Sequence, residues 1–191
     1  MKSIEKFITC EIEMKNSRFI CCMYPIQQDS ISSILNEVKK QYPKATHYCY
    51  GYIYDSVKHS SDDGEPTGTA GFPILNVLEK EDLNHVLCVV IRYFGGIKLG
   101  AGGLVRAYTK SVTEALKEAT FIELISGYKI EIQFPYEEEN SILYILNQSE
   151  IIDKKYLETI TYTVLVDRNT YQKLLKYQPT ILEELFIKER N

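Results

Sequence analysis

Apolar and polar positions along the chain recur with the two periods that distinguish strands from helices. Residues 85–94, HVLCVVIRYF, are almost entirely apolar, which is typical of a central strand covered on both faces. From Leu104 to Ala119 apolar side chains recur every three or four positions, which predicts the strongest helix of the chain. Residues 47–54 alternate, with a tyrosine at every second position, and predict a strand with one aromatic face. We interpret that face as packing or sheet surface, with a base-stacking platform as the alternative.

The same patterns predict further elements on either side of these three. In the first half they predict a strand at 17–26, helices at 29–42 and 70–83, and a polar, turn-rich loop at 56–69. In the second half they predict strands at 128–136, 150–158, 159–167 and 180–189, with helices at 137–148 and 169–177, the second of which begins at Asn169.

The order of these elements indicates two domains of the α+β class. Residues 127–191 follow the order βαββαβ, which is that of a ferredoxin-like domain. Each half contains enough strands and amphipathic helices to build its own core. We therefore expect one domain over residues 1–126 and a second over residues 127–191, and a cut at residue 126 is expected to release two folded pieces.

Composition and charge narrow the classes of function. The chain is 45% hydrophobic and 25% charged, as in ordinary globular proteins. Its formal net charge of -4 argues against coating of nucleic acid by bulk electrostatics, and DNA is not an expected partner. No apolar run is long enough to span a bilayer and the first residues contain no signal core, so we expect a cytoplasmic protein that does not contact a membrane. Five cysteines without C-x-x-C spacing indicate buried thiols in a reducing compartment.

The stretch YFGGIKLGAGGLVRAY at 93–108 is the first candidate site. It lacks the G-x-x-x-x-G-K-[ST] pattern of a P-loop and the G-x-G-x-x-G pattern of dinucleotide-binding folds. A glycine turn before a helix exposes backbone N–H groups at the positive end of the helix dipole, where they can hold an anion. The alternative is that the glycines only permit positive φ and close packing, and on either interpretation Gly102→Val is expected to damage folding. The candidate residues for binding an anion, RNA or a partner are Arg92, Gly95, Gly96, Lys98, Gly100, Gly102, Gly103 and Arg106.

An acidic cluster forms the second candidate site. Asp62, Asp63 and Glu65 could bind Mg²⁺, act as acid and base, or form ion pairs. Asp-Asp-Gly is also an ordinary turn whose carboxylates accept bonds from backbone N–H groups. Because charged loops that flank one strand end of a small sheet tend to meet, we expect the cluster to lie near the glycine turn. Since no nucleophile–base pair or His-rich shell is nearby, we expect it to pair with backbone amides or arginine rather than a metal. His47 and Cys49 share a strand face, but two ligands alone do not make a metal site. The candidate arginines are Arg18, Arg92 and Arg106.

Longer motifs around these residues resemble those of a known family. SDDGEPTGTAGFPIL at 61–75 and VVIRYFGGIKLGAGGLVRAY at 89–108, with NSRFI at 16–20 and ATHYCYGY at 45–52, are similar to the signature of the IMPACT family. The resemblance is to its two-domain bacterial YigZ-like branch and covers residues 1 to about 125. Phe72 departs from the basic residue often found after T-A-G in that signature.

The resemblance carries expectations about fold and function. It implies an N-terminal domain like the second domain of ribosomal protein S5 and a C-terminal domain like domain V of elongation factor G. It also implies kinship with eukaryotic proteins that restrain the starvation-responsive kinase of an initiation factor by binding that kinase's activator. Those relatives lack this C-terminal domain, so their mechanism does not transfer whole.

The main hypothesis is a cytoplasmic, non-enzymatic regulatory protein that is linked to translation. It would bind RNA, the ribosome or a translation-associated protein through the glycine-rich basic loop, with Asp62, Asp63 and Glu65 ordering that loop, and it would need no cofactor. The alternative is a metal-dependent hydrolase of a phosphate-containing small molecule, with the same three carboxylates as metal ligands. A third hypothesis, an assembly module acting through the C-terminal sheet, has no residue to name.

Overall fold

The computed structural model describes residues 1–27 and 30–189. The chain divides into two compact units, Met1–Ile122 and Glu123–Asn191, which we call unit 1 and unit 2. The division lies a few residues before residue 126. Each unit has its own core of buried apolar side chains, as the alternation of strands and amphipathic helices requires.

The described residues of unit 1 form six strands and three helices. Its strands are β1 (Lys2–Ile4), β2 (Ile8–Met14), β3 (Ser17–Pro25), β4 (His47–Tyr54), β5 (Val57–Ser61) and β6 (Val86–Tyr93). Its helices are α1 (Ile31–Gln41), α2 (Gly71–Lys80) and α3 (Ala101–Leu116). Among the described helices of the chain, none combines the length and the apolar character needed to cross a membrane.

An antiparallel sheet with the order β2-β3-β6-β4-β5 forms the middle layer of unit 1. β6 is its central strand and is buried from Val86 to Arg92, which explains its unbroken apolar sequence. α2 and α3 pack against one face of the sheet, and the apolar side of α1 packs against the other. The tyrosines of β4 lie half-buried on the face covered by α1.

Four of the five cysteines lie buried in this sheet: Cys21, Cys22, Cys49 and Cys88. All five are free thiols, and the Sγ atoms of Cys21 and Cys88 on neighbouring strands are 3.4 Å apart. Free Cys behaves as a small hydrophobic residue in such positions, as the sequence indicates.

Three strands of unit 1 differ from the sequence prediction, and one of them, the three-residue strand β1, was not predicted at all. Residues 57–61 were expected to lie in a loop but form β5, which pairs with β4 at the edge of the sheet. An edge strand with mostly exposed side chains has no apolar alternation, so its sequence resembles a loop. β2 was not predicted, although Ile8, Cys10, Ile12 and Met14 alternate towards the core.

Unit 2 contains the βαββαβ order that the sequence predicts. It is formed by β7 (Phe121–Phe134), α4 (Glu139–Ile145), β8 (Glu150–Tyr156), β9 (Ile160–Asp167), α5 (Arg168–Leu174) and β10 (Thr180–Lys188), with β7 beginning at the end of unit 1. The strands are antiparallel in the order β10-β7-β9-β8. Alternate residues of β7 and β9 meet Ile142 of α4 and Leu174 of α5 in the core. The α+β class is therefore confirmed.

The cap of α5 was predicted at the wrong residue. Asp167 is the N-cap, because its Oδ1 accepts a 2.7 Å hydrogen bond from the backbone N–H of Thr170. Asn169 lies inside the helix. Asp and Asn are both strong N-cap residues, so residue type alone could not distinguish Asp167 from Asn169 as the cap.

Candidate functional site

The candidate site lies at one end of the unit 1 sheet. At this end β6 finishes and β4 begins, because Arg92 is paired with His47 in the sheet register. Two loops follow from the same end: residues 62–70 lead into α2, and residues 94–100 lead into α3. The acidic cluster and the glycine-rich stretch are therefore brought together by the register of two neighbouring strands.

Asp62 caps the first of these helices. Its Oδ1 accepts hydrogen bonds from the N–H groups of Ala70 (3.0 Å) and Gly71 (2.8 Å), and its Oδ2 accepts one from Gly68 (2.8 Å). Burial raises the pKa of Asp62, but the three backbone bonds outweigh it, and the pKa lies below its usual value. Ala70 itself occupies the N-cap position and has no side-chain oxygen, so Asp62 satisfies the amides in its place.

Asp63 ties the acidic loop to the first strand of the pair. Its Oδ2 accepts a 2.6 Å hydrogen bond from the backbone N–H of Tyr48, and its carbonyl oxygen lies 2.8 Å from Nδ1 of His47. Both contacts order the turn.

Glu65 and Arg92 form a buried ion pair. Glu65 is 8% exposed and Arg92 is 5% exposed, and Nη1 of the arginine donates to Oε1 of the glutamate at 2.5 Å. The hydroxyl of Tyr108 donates to the same oxygen at 2.9 Å, and Nε2 of His47 lies 3.8 Å from Oε2. This network joins the acidic loop, β4, β6 and α3 through side chains alone.

Burial changes the role expected of Arg92. Its guanidinium lies 5.4 Å from the ring centre of Phe19 and 5.5 Å from that of Phe94, and its Nη2 is 3.5 Å from Oγ of Ser17. A guanidinium enclosed in this way cannot reach a ligand on the surface. Arg92 therefore pairs internally with Glu65 and does not belong with the candidate binding residues. Of the other two candidate arginines, Arg18 pairs with Glu11 at 2.7 Å, and Arg106 does not pair with the acidic loop.

Cys49 and Tyr108 complete the buried network. The Sγ of Cys49 lies 2.9 Å from the carbonyl oxygen of Asp62 and 3.3 Å from the Tyr108 hydroxyl oxygen, and its single proton can be donated to one or the other. Burial raises the pKa of Cys49 to about 12 and raises the pKa of Tyr108 well above its usual value. Both groups are therefore protonated near neutral pH and are poor nucleophiles or bases. The sequence indicates Tyr108 only as part of the apolar stripe of α3, and Ser17 only as part of the NSRFI motif, so neither was predicted as a member of this network.

The glycines of the second loop have different structural reasons. The N–H of Gly95 donates to Oγ of Ser17 at 3.1 Å, and a Cβ at this position would overlap the carbonyl of Asn16. Gly96 and Gly100 have φ of +85° and +73°, a region that favours glycine. A Cβ on Gly103 would lie 3.0 Å from Cβ of Leu99, so this glycine permits close packing.

Gly102 does not behave as the sequence analysis expected. It lies inside α3 without positive φ, and a Cβ there would meet no atom within 4 Å. Gly102→Val is therefore not expected to fail through backbone strain or crowding. Strain belongs instead to Gly96 and Gly100, and crowding belongs to Gly95 and Gly103.

The start of α3 is open, in contrast to that of α2. Gly100 is its N-cap and provides no side-chain hydrogen bond. Lys98, two residues before this N-cap, and Arg106, in the second turn of α3, are exposed, and within the described residues neither makes a hydrogen bond or ion pair with another side chain. Three apolar side chains are also exposed here, Phe94 at 46%, Ile97 at 47% and Val105 at 38%. We call these five residues the loop surface: Phe94, Ile97, Lys98, Val105 and Arg106.

The two loops are therefore suited to different tasks. The carboxylates of Asp62 and Asp63 accept hydrogen bonds from backbone amides, and that of Glu65 accepts one from Arg92. Among residues 1–27 and 30–189, no group of three or more His, Cys, Asp and Glu side chains is arranged to hold a metal ion. The loop surface combines unpaired cations, uncapped amides and apolar side chains, which together can hold an anionic group.

Comparison with known proteins gives a consistent result. Residues 15–116 match the family model described as the Impact N-terminal domain, which is more than half of the chain. The chain is 47% identical over 117 residues to "IMPACT family member YvyE" of Bacillus subtilis, an alignment that covers 59% of this chain. It is 34% identical over 157 residues to "IMPACT family member YigZ" of Escherichia coli, covering 78% of this chain and 77% of that protein.

A solved structure is similar over the whole chain. It is described as the crystal structure of a hypothetical protein, and it aligns with a TM-score of 0.68 at 26% identity over 100% of this chain and 97% of that one. By contrast, the chain spans 54% of the length of the Bacillus subtilis relative, about half of that protein.

Proposed function

The chain belongs to the IMPACT family, and from this premise we propose that it is a non-enzymatic regulatory protein linked to translation. In this proposal the loop surface holds an anionic group of RNA, of the ribosome or of a translation-associated protein. The link to translation rests on the family. The sequence resemblance relates the family's eukaryotic members to regulators of an initiation-factor kinase. The choice of binding surface rests on the geometry of unit 1.

The contrast between the two helix starts carries the proposal. The amides at the start of α2 bind an internal anion, the carboxylate of Asp62. The amides at the start of α3 have no side-chain cap, and within the described residues Lys98, two residues before the N-cap, and Arg106, in the second turn, are unpaired. An external phosphate or carboxylate would satisfy these donors in the way that Asp62 satisfies those of α2.

The hydrolase alternative receives no comparable support. Its proposed metal ligands are Asp62, Asp63 and Glu65, and each carboxylate already accepts hydrogen bonds from neighbouring residues. The buried thiol and phenol next to them have raised pKa values, so they are not prepared to act as nucleophile or base. We therefore favour binding over catalysis.

A charge-reversal pair tests the proposal. Lys98→Glu should abolish binding to purified ribosomes in co-sedimentation and to a structured RNA in filter binding, both at low and at physiological salt. Its stability should stay within about 0.5 kcal/mol of the parent, because an exposed charge is changed. The control is Lys6→Glu, an exposed lysine just before β2. Ile8 of β2 pairs with Met23 and Met14 with Ser17, so Lys6 lies at the opposite end of the sheet from the loop surface.

The outcomes separate the possible partners. Loss of ribosome or RNA binding in Lys98→Glu, but not in Lys6→Glu, supports a nucleic-acid partner. If neither ribosomes nor RNA bind the parent, affinity capture of proteins by the parent and by Lys98→Glu tests a protein partner. The proposal fails if Lys98→Glu unfolds the protein, or if it retains every ligand as well as the parent does.

A further inference from the structure

Three exposed apolar side chains lie together on unit 2. Tyr136 is 49% exposed, Tyr156 is 50% exposed and Leu157 is 78% exposed. The Tyr136 hydroxyl donates to the carbonyl oxygen of Leu157 at 2.8 Å, and the rings of the two tyrosines are 6.4 Å apart. We call these three residues the tyrosine patch. It joins the end of β7 to the turn between β8 and β9.

The tyrosine patch is held in a fixed conformation. The Tyr156 hydroxyl donates to Oε1 of Glu139 at 2.9 Å, and the buried Tyr162 donates to the same oxygen at 2.5 Å. The rings of Tyr156 and Tyr162 are 6.4 Å apart at 77°. Aromatic side chains that are already ordered lose little conformational entropy on binding, which is a property of the residues that dominate protein interfaces.

Charge distinguishes this surface from the loop surface. Residues 1–122 contain 14 acidic and 14 basic residues, whereas residues 123–191 contain 12 acidic and 8 basic ones. The whole formal charge of -4 therefore belongs to unit 2. Near the patch, Glu137, Glu138 and Glu139 directly follow Tyr136, and Glu158 directly follows Leu157. Asp153, Lys154 and Lys155 directly precede Tyr156, so these two segments together contain five acidic and two basic residues and remain net acidic.

Two cations, Lys154 and Lys155, lie on β8 directly before Tyr156. The ammonium of Lys154 is 4.7 Å from the ring centre of Tyr162. Tyr162 is fully buried and is not part of the tyrosine patch, so this cation–π contact is internal to unit 2. The surrounding acidic residues would repel phosphate groups, so an RNA ligand is disfavoured here.

We propose that the tyrosine patch is a docking surface for a protein segment that is both basic and apolar. Its apolar side chains would pack on Leu157 and the tyrosine rings. Its lysine or arginine side chains would face the acidic residues and the exposed ring faces. The inference does not depend on the proposed function of unit 1, because it rests on residues of unit 2 only.

The test uses the full chain and two defined probes. One probe is a synthetic amphipathic peptide of leucine and lysine, and the other has glutamate at every lysine position. Fluorescence anisotropy should show binding of the lysine peptide that weakens on substitution in the tyrosine patch, whereas any binding of the glutamate peptide, including binding at the loop surface, should not respond to those substitutions. Leu157→Ala and Tyr156→Ala should each raise Kd by about tenfold or more, the effect of removing an interface hot spot. Leu157 is largely exposed, so its truncation should leave the fold intact.

Tyr144→Ala is the matched control. Tyr144 is 81% exposed on α4, five residues after Glu139 and therefore about 140° further around the helix. It should leave the Kd unchanged. Equal binding by the parent and Leu157→Ala, or no binding of the lysine peptide, would overturn the proposal. Two other results would also overturn it. One is binding of an RNA oligonucleotide that is lost in Leu157→Ala. The other is self-association of the chain, measured by sedimentation velocity, that is lost in Leu157→Ala.

Discussion

At the scale of single residues, the buried pair of Glu65 and Arg92 controls the site end of unit 1. Each charge is almost wholly removed from water, and a buried ion pair is stable only while both partners are present. The Nε of Arg92 has no hydrogen-bond partner among the described residues, which leaves Glu65 as the group that compensates the guanidinium. Glu65, one of the three carboxylates considered as a metal ligand or acid–base group, therefore mainly stabilises the fold.

Removing one partner tests this role. Glu65→Leu should lower the free energy of unfolding by about 3–5 kcal/mol, because it leaves an uncompensated charge in the interior. Urea denaturation followed by circular dichroism measures the change. The double variant Glu65→Leu with Arg92→Met should recover much of the loss, since apolar side chains of similar volume can replace a buried pair. A single variant as stable as the parent would show that the pair has no structural role.

At the scale of elements, the segment that leads from β6 into α3 contains glycines with different structural roles within a few residues. Gly95 is enclosed by backbone, whereas Gly102 faces open space in the first turn of α3. Gly95→Ala should lower the stability by at least about 2 kcal/mol, because the methyl group overlaps the Asn16 carbonyl. Gly102→Ala should be neutral or up to about 1 kcal/mol more stable, because alanine is the better helix former.

Thermal unfolding of both variants measures these opposite effects. The comparison is matched, since the same methyl group is added at two positions of one loop–helix segment. Equal losses in the two variants would mean that the segment needs glycine throughout. That result would contradict the packing observed at Gly102.

The elements differ in how well the sequence predicts them. β6 and α3 were predicted because burial on both faces or along one stripe leaves a strong periodic signal. β5 was missed because its pairing with β4 is a backbone property that exposed side chains do not record. The cap of α5 was misplaced because the choice between Asp167 and Asn169 depends on geometry within a single turn.

The sequence predicted which residues form the candidate site, but not which of their side chains are buried and which are exposed. The sequence suggested that the acidic loop and the arginines would meet, because both flank predicted strands. It could not show that Arg92 points into unit 1 while Lys98 and Arg106 face solvent, since that depends on which face each position takes in the register. The exposure of the tyrosine patch likewise depends on tertiary contacts between β7 and the β8–β9 turn.

At the scale of the whole molecule, the position of the unit boundary has a measurable effect. Leu124, Ile125 and Ser126 of β7 pair with Lys188, Ile187 and Phe186 of β10, all within unit 2. A fragment of residues 123–191 should therefore fold cooperatively. A fragment of residues 127–191 should lose on the order of 2 kcal/mol, because several ladder hydrogen bonds are removed from a small domain.

Urea unfolding of the two purified fragments decides between these boundaries. A lower midpoint for residues 127–191 than for residues 123–191 is the expected result. Identical midpoints would show that the end of β10 contributes nothing to unit 2, and that the boundary at residue 126 describes the domain equally well.

The buried cysteines of unit 1 have a consequence for its chemical reactivity. The thiolate is the form that reacts with oxidants and alkylating reagents. The hydrogen bond to Cys88 raises the pKa of Cys21, and burial raises the pKa of Cys22 and that of Cys49. In the folded chain these thiols are thus shielded twice, by exclusion of reagent and by their protonation. Oxidative damage to them must wait for the sheet to open, so the lifetime of these thiols in an oxidising medium is set by how rarely unit 1 unfolds.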